Sequence, residues 1–167
     1  MQMLEEYLQQ WKPYFEIVLV ESGDCREISD LHGQRFPRQW SDGEFLSLLL
    51  QPNVFGFLAR QTNAFFSRPV GGFVLAREMA GEAEILTIAV AERFGRAGLG
   101  WRLMQAALRE AEQRGAEEMF LEVEAANERA VRLYRKLGFQ TVAERPAYYE
   151  SSDGERSTAL VMKCDLR

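Results

Sequence analysis

The run Phe94-Gly95-Arg96-Ala97-Gly98-Leu99-Gly100-Trp101 limits this chain more than any other stretch. Before it, Ile85 to Val90 reads as a buried strand; after it, Leu99 to Arg114 carries apolar residues at helical spacing. A strand, a glycine turn and a helix start form an anion site, because the first N–H groups of a helix lack intrahelical acceptors and the helix dipole adds positive charge there. Gly98 and Gly100 remove side chains that would hold a phosphate away, and Arg96 adds a fixed cation. The ligand expected from this pattern is a pyrophosphate. The spacing Gly95-x-x-Gly98-x-Gly100 matches neither the dinucleotide fingerprint nor a P-loop, and the glycines by themselves favour an ordinary tight strand-to-helix turn.

The segments that follow narrow the choice. Phe120 to Glu124 reads as a strand, Asn127 as the cap of a helix through Tyr134 to Leu137, and Gly138-Phe139 as its end. This order resembles the acetyl-CoA-binding core of the GNAT N-acetyltransferase superfamily, whose run (Gln/Arg)-x-x-Gly-x-(Gly/Ala) is met at Gly98 and Gly100. Gly95 stands where that pattern has Gln or Arg. The segments IAV at 88–90, RAGLG at 96–100, LEVEAAN at 121–127, LYRKLGF at 133–139 and YYESSDG at 148–154 are similar to the RimI-type ribosomal-protein-alanine N-acetyltransferases. The similarity runs from about residue 16 to the C-terminus.

That resemblance implies acetyl-CoA as co-substrate, held by Ile88, Ala89, Val90, Arg96, Ala97, Gly98, Leu99, Gly100, Trp101 and Asn127. It implies Glu122 as general base and Tyr134 as general acid, with oxyanion stabilisation from backbone N–H around Ala89 or Val90, where the strand is expected to splay and bulge. The acceptor side is implied at Phe36, Trp40, Tyr148 and Tyr149. From the residues alone, Glu122 fits a salt-bridge partner, Tyr134 a core aromatic, Asn127 a plain helix cap, and the four acceptor-side aromatics packing.

The chemistry matches these residue types. An attacking amine must lose a proton and a departing thiolate must gain one. Alternation along 120–124 puts Glu122 beside Phe120, where partial desolvation is expected to raise its basicity. Tyr134 carries a hydroxyl at the end of an apolar body, among Ala130, Val131 and Leu137, suited to a leaving thiolate of similar acidity.

With 167 residues, 47% hydrophobic and 27% charged, the chain has the composition of a globular protein. A net charge of −5 speaks against a direct nucleic-acid binder and suits a basic peptide or amine. No signal sequence or membrane span is evident, so a cytoplasmic setting is expected. Cys25 and Cys164 read as free thiols, and with one histidine, His32, no metal site is expected.

The organisation expected is a helical extension over 1–15 and one domain over 16–167. Its fold class is mixed α/β: a largely antiparallel central sheet with helices on both faces, as in the GNAT fold. Strands are read at 15–20, 54–61, 70–77, 83–90, 120–124, 141–149 and 157–164, the last two joined at Asp153-Gly154; helices are read at 3–12, 24–35, after Ser41, 99–114 and 127–137. The apolar stripe of the first helix docks on its own domain or makes a dimer contact, giving a monomer or weak homodimer. Three functions stay open: acetylation of a protein N-terminal α-amine such as that of a ribosomal protein, acetylation of a small amine or lysine, and acyl-CoA binding without turnover.

Overall fold

The computed structural model of the chain describes residues 2–3, 12–150 and 156–167, leaving aside the side chains of 147–150 and 156. The expected helix over 3–12 and the Asp153-Gly154 turn therefore lie largely or wholly outside the described residues. Strands β1 (Phe15–Leu19), β2 (Val54–Gln61), β3 (Val70–Met79), β4 (Glu82–Val90), β5 (Glu118–Glu124), β6 (Gln140–Glu150) and β7 (Arg156–Asp165) form one sheet in the order β1-β2-β3-β4-β5-β7-β6. Every neighbouring pair is antiparallel except β4–β5. The mixed, largely antiparallel sheet read from the sequence is thus observed.

Helices α1 (Cys25–Arg35) and α2 (Asp42–Leu49) cover one face, packing with Leu58, Phe73, Leu75 and Ala89. Helices α3 (Leu99–Gln113) and α4 (Glu128–Lys136) cover the other, with Val74, Ala76, Ile85, Leu121 and Val123. Two of the helices start at side-chain caps. Ser41 caps α2 through the N–H of Glu44, and the Glu44 carboxylate returns a bond to the Ser41 N–H. Asn127 accepts from the Ala130 N–H at 3.2 Å to cap α4. β3 runs on to Met79 because Ala80 and Gly81, at φ 55° and 87°, form a two-residue turn whose twist suits a hairpin.

Two features of β4 shape the centre of the sheet. Against β3, Thr87 pairs with Leu75 but Ile85 with Ala76, so Leu86 is an extra residue, a β-bulge. The extra residue exchanges the faces: Ala83 and Ile85 point toward α3, whereas beyond the bulge Ala89 points toward α1 and Ile88 and Val90 pack on the α3 side. Against β5, pairing covers only Glu82–Glu118, Ala83–Met119 and Glu84–Phe120. β5 meanwhile stays paired with β7 along its whole length, from Glu118–Asp165 to Glu124–Ala159. Beyond Glu84 the two parallel strands part.

Gly56 tests the tightness of the sheet. A Cβ there would lie 2.7 Å from the Val74 carbonyl oxygen, a backbone atom that cannot swing aside. Gly56→Ala is expected to cost about 1–3 kcal/mol, read as a lower urea midpoint with an unchanged slope. Gly23→Ala, with nothing within 4 Å of the added carbon, serves as the near-neutral control; equal effects would show that the carbonyl contact is not the cause.

Candidate active site

The glycine turn occupies the mouth of the β4–β5 parting on the α3 side. A 3-10 turn, Glu92–Phe94, leads from β4 into it, and Gly98 at φ 70° caps α3. A non-glycine residue is strained in that left-handed conformation, and open space surrounds the missing Cβ. Gly100 meets a different need: a Cβ there would lie 3.1 Å from Leu133 Cδ2, so its small size lets α4 approach α3.

The turn leaves a row of donors. Gly95 and Ala97 donate back to Glu92 and Phe94. Among the described residues, no acceptor takes the N–H groups of Arg96, Gly98, Leu99, Gly100 or Trp101. These N–H groups stand at the positive end of a 15-residue helix, with Arg96 exposed beside them. A phosphate group fits this donor set. Ile88, Ala89 and Val90 lie on the edge of β4 that β5 has left, and β3 pairs them on the other edge. The bulge sits at Leu86, ahead of the Ala89–Val90 position expected for it, because the register slips between Leu75 and Ala76.

Glu122 and Tyr134 lie on opposite faces of the parting. Tyr134, on α4, belongs to the core with α3; it is 6% exposed and stands edge-on to Phe139 at 6.0 Å between ring centroids. Burial pushes its phenol up to about 12, away from the similar-acidity match expected with a free thiol.

Glu122 shares the α1 face with Phe120, as alternation along β5 requires, but it is not desolvated as expected. Its side chain is 41% exposed, and its Oε1 lies 3.2 Å from Arg145 Nε on β6. The reason is positional: α1 and α2 pack over β2, β3 and β4, and Glu122 lies beyond them. The exposed pair adds little stability.

Phe36 and Trp40 turn out to share a partner. They stack on the two sides of buried His32, at 4.3 Å and 5.0 Å between centroids, and Trp40 also leans on Phe45. Ser29 Oγ donates to the Trp40 carbonyl at 2.7 Å and the Gln39 amide donates to the Ser29 carbonyl, which fastens the 36–40 loop to α1. Tyr148 and Tyr149 lie on β6, the strand that carries Arg145, with their side chains outside the described set. The sequence reading singled out neither Arg145 nor two further polar groups near the site. Thr87 Oγ1 is buried with no hydrogen-bond partner among the described residues, on the stretch of β4 that has parted from β5. Arg129 of α4 donates to the Gly95 carbonyl. Alternation exposes none of these, since each depends on strand register or helix crossing.

Residues 25–139 match the model of the Acetyltransferase (GNAT) family. The chain belongs to the GNAT acetyltransferase family. Among its relatives, the [Ribosomal protein bS18]-alanine N-acetyltransferase of Escherichia coli K12 is 37% identical over 93 residues, 56% of this chain and 62% of that protein. The aligned part therefore spans less than two thirds of that relative's length. The crystal structure of the E. coli ribosomal-protein-S18-alanine N-acetyltransferase superposes with a TM-score of 0.81 at 28% identity, covering 91% of this chain and 94% of the other. Arabidopsis thaliana NAA60 in complex with acetyl-CoA shares the fold at a TM-score of 0.78 and 18% identity, covering 90% of this GNAT chain and 98% of its own. Among the described residues, no cluster of metal-ligating side chains occurs and no helix is long and apolar enough to cross a membrane.

The aromatic stack makes the 36–40 loop sensitive to acid. Burial holds the His32 imidazole below its ordinary 6.5, with Glu44 opposing and Arg38 assisting. His32 Nδ1 accepts from the Trp40 N–H at 3.2 Å, so the fold needs that nitrogen unprotonated. The unfolded chain binds the proton more readily; stability is full above pH 6.5 and declines as the pH falls below it. His32→Asn, which keeps an acceptor near Nδ1 but cannot titrate, is expected to flatten the thermal-midpoint slope between pH 7.5 and 5. An unchanged slope would assign the acid sensitivity to other groups.

Proposed function

We propose that this chain is an acetyl-CoA-dependent N-acetyltransferase acting on the α-amino group of a protein N-terminus. The observation that carries the reading is the parting of β4 from β5, with a carboxylate on one face, a phenol on the other and a row of unpaired N–H groups at its mouth. Acetyl-CoA enters with its pyrophosphate on the N–H groups of residues 98–101 and its thioester in the parting, beside Ile88, Ala89, Val90 and the Asn127 cap. The amine enters from the α1 face, past Phe36, Trp40, Tyr148 and Tyr149.

The amine nitrogen attacks the acetyl carbonyl carbon, forming the C–N bond. Its surplus proton passes to Glu122, directly or through water. Backbone N–H groups of β4 stabilise the oxyanion. As the C–S bond breaks, the Tyr134 hydroxyl gives its proton to sulfur, leaving the acetylated amine and CoA. Direct attack needs no acyl-enzyme, because both substrates are held together. The α-amine is favoured as acceptor because, at a pKa of about 8 against about 10.4 for lysine, it has more free base near neutrality. The naming of the E. coli relative for an N-terminal alanine of a ribosomal protein supports the same class.

Turnover with acetyl-CoA against N-terminal alanine peptides, N-blocked lysine peptides and polyamines tests the acceptor class; preference for the free N-terminus is the expected result, and a lysine or polyamine preference would overturn it. Tyr134→Phe is expected to lower kcat by about 10²–10⁴-fold while acetyl-CoA affinity holds. Glu122→Gln should lower the rate most near pH 7 and recover part of it by pH 9, where the amine deprotonates unaided; a deficit that does not vary with pH would make the carboxylate a positioning group. With the phenol raised to about 12, kcat should show no alkaline decline from the acid up to pH 10.

A further inference from the structure

Gly95 is a glycine whose backbone angles do not call for one. Its φ of −59° and ψ of −16° lie in the ordinary helical region, open to any residue. A Cβ on residue 95 would lie 3.1 Å from Arg129 Nη1, 3.2 Å from the Glu92 carbonyl oxygen and 3.5 Å from Arg129 Nη2. The guanidinium from α4 occupies the volume that a side chain at position 95 would use.

Arg129 is unusually sited for its own helix. It is the second residue of α4, in the first turn, where the helix dipole disfavours a cation. Arg135 and Lys136, in the last turn, follow the dipole; Arg129 opposes it. Its one acceptor among the described residues is the Gly95 carbonyl, which Nη2 reaches, and no carboxylate pairs with it there. A guanidinium has five N–H donors, so most of its donor capacity is unspent. Leu133, one turn further along the same face of α4, is the residue that closes on Gly100. This face therefore runs alongside the loop from residue 95 to residue 100, with Arg129 and Leu133 in contact with it.

We propose that Arg129 is a ligand of the co-substrate's pyrophosphate, supplying from α4 the side-chain donor that position 95 lacks. The proposal rests on the acetyl-CoA reading of the site. The Gly95 carbonyl fixes one edge of the guanidinium, and the other edge presents parallel N–H donors to a phosphate oxygen pair, beside the unpaired N–H groups of Gly98 to Trp101. Pairing Arg129 with an anion also offsets its unfavourable place in the α4 dipole.

Calorimetric titration of the full chain with CoA and with 3′-dephospho-CoA tests this. Arg129→Ala is expected to weaken both ligands equally, by about 10- to 100-fold, the scale of a lost charge-assisted hydrogen bond. Arg129→Lys, which keeps the charge and loses the fork, should fall between. Gly95→Arg should restore at least part of the affinity in the Arg129→Ala background and impair it in the wild-type chain, where two guanidinium groups would claim one space. Unchanged affinity in Arg129→Ala, a loss confined to CoA with dephospho-CoA unaffected, or no restoration by Gly95→Arg would each overturn the proposal. Failure of the wild-type chain to bind either ligand would instead overturn the acetyl-CoA reading on which it rests.

Discussion

A parallel strand pair that separates after three residue pairs is the constraint on which the rest of this molecule depends. β5 is held to β7 from end to end, and the Leu86 bulge turns β4 away from it. Backbone polar groups inside a protein need partners, so the edge of β4 beyond Glu84 is stable only with a hydrogen-bonding neighbour. On the proposed reading, the amide-bearing arm of acetyl-CoA pairs there much as an added strand would. The same parting keeps Glu122 and Tyr134 on opposite faces of one opening, the arrangement that proton removal from one substrate and proton delivery to the other requires.

The charge distribution follows the same plan. The chain carries a net −5, yet the turn between β4 and α3 gathers the unpaired N–H groups of α3, Arg96 and Arg129. On the α1 face, Glu122 and Glu124 are exposed, and among the described residues Arg145 alone pairs with Glu122. On the proposed reading, an anionic co-substrate and a cationic acceptor would meet surfaces of opposite sign on opposite sides of the sheet. Gly100 allows α4 to lie against the phosphate turn, which brings the helix of Tyr134 and the helix of the N–H donors into one unit.

Much of this was legible in the sequence because it rests on short-range rules. Ser41, Asn127, the Gly98 turn and the alternation along 120–124 all follow from caps, turns and periodicity, and the structure reproduces them. What escaped depends on register or on the crossing of elements far apart in sequence. The bulge falls at Leu86 because of how β3 pairs with β4, and the ion pair of Glu122 with Arg145 spans two strands. A neighbouring aromatic such as Phe120 does not predict burial when the covering helices end at β4. His32 joins Phe36 and Trp40 only because the loop after α1 folds back on it. Gly95 is the clearest case: the side chain that lies against it, Arg129, comes 34 residues later.

The central claim is that the N–H groups at the start of α3 bind the co-substrate's phosphates. Amide NMR of the uniformly labelled chain during titration with acetyl-CoA measures those groups directly. The account predicts that the Gly98, Leu99, Gly100 and Trp101 amides move downfield together and saturate at one equivalent. Saturable binding with those four amides unmoved would contradict it.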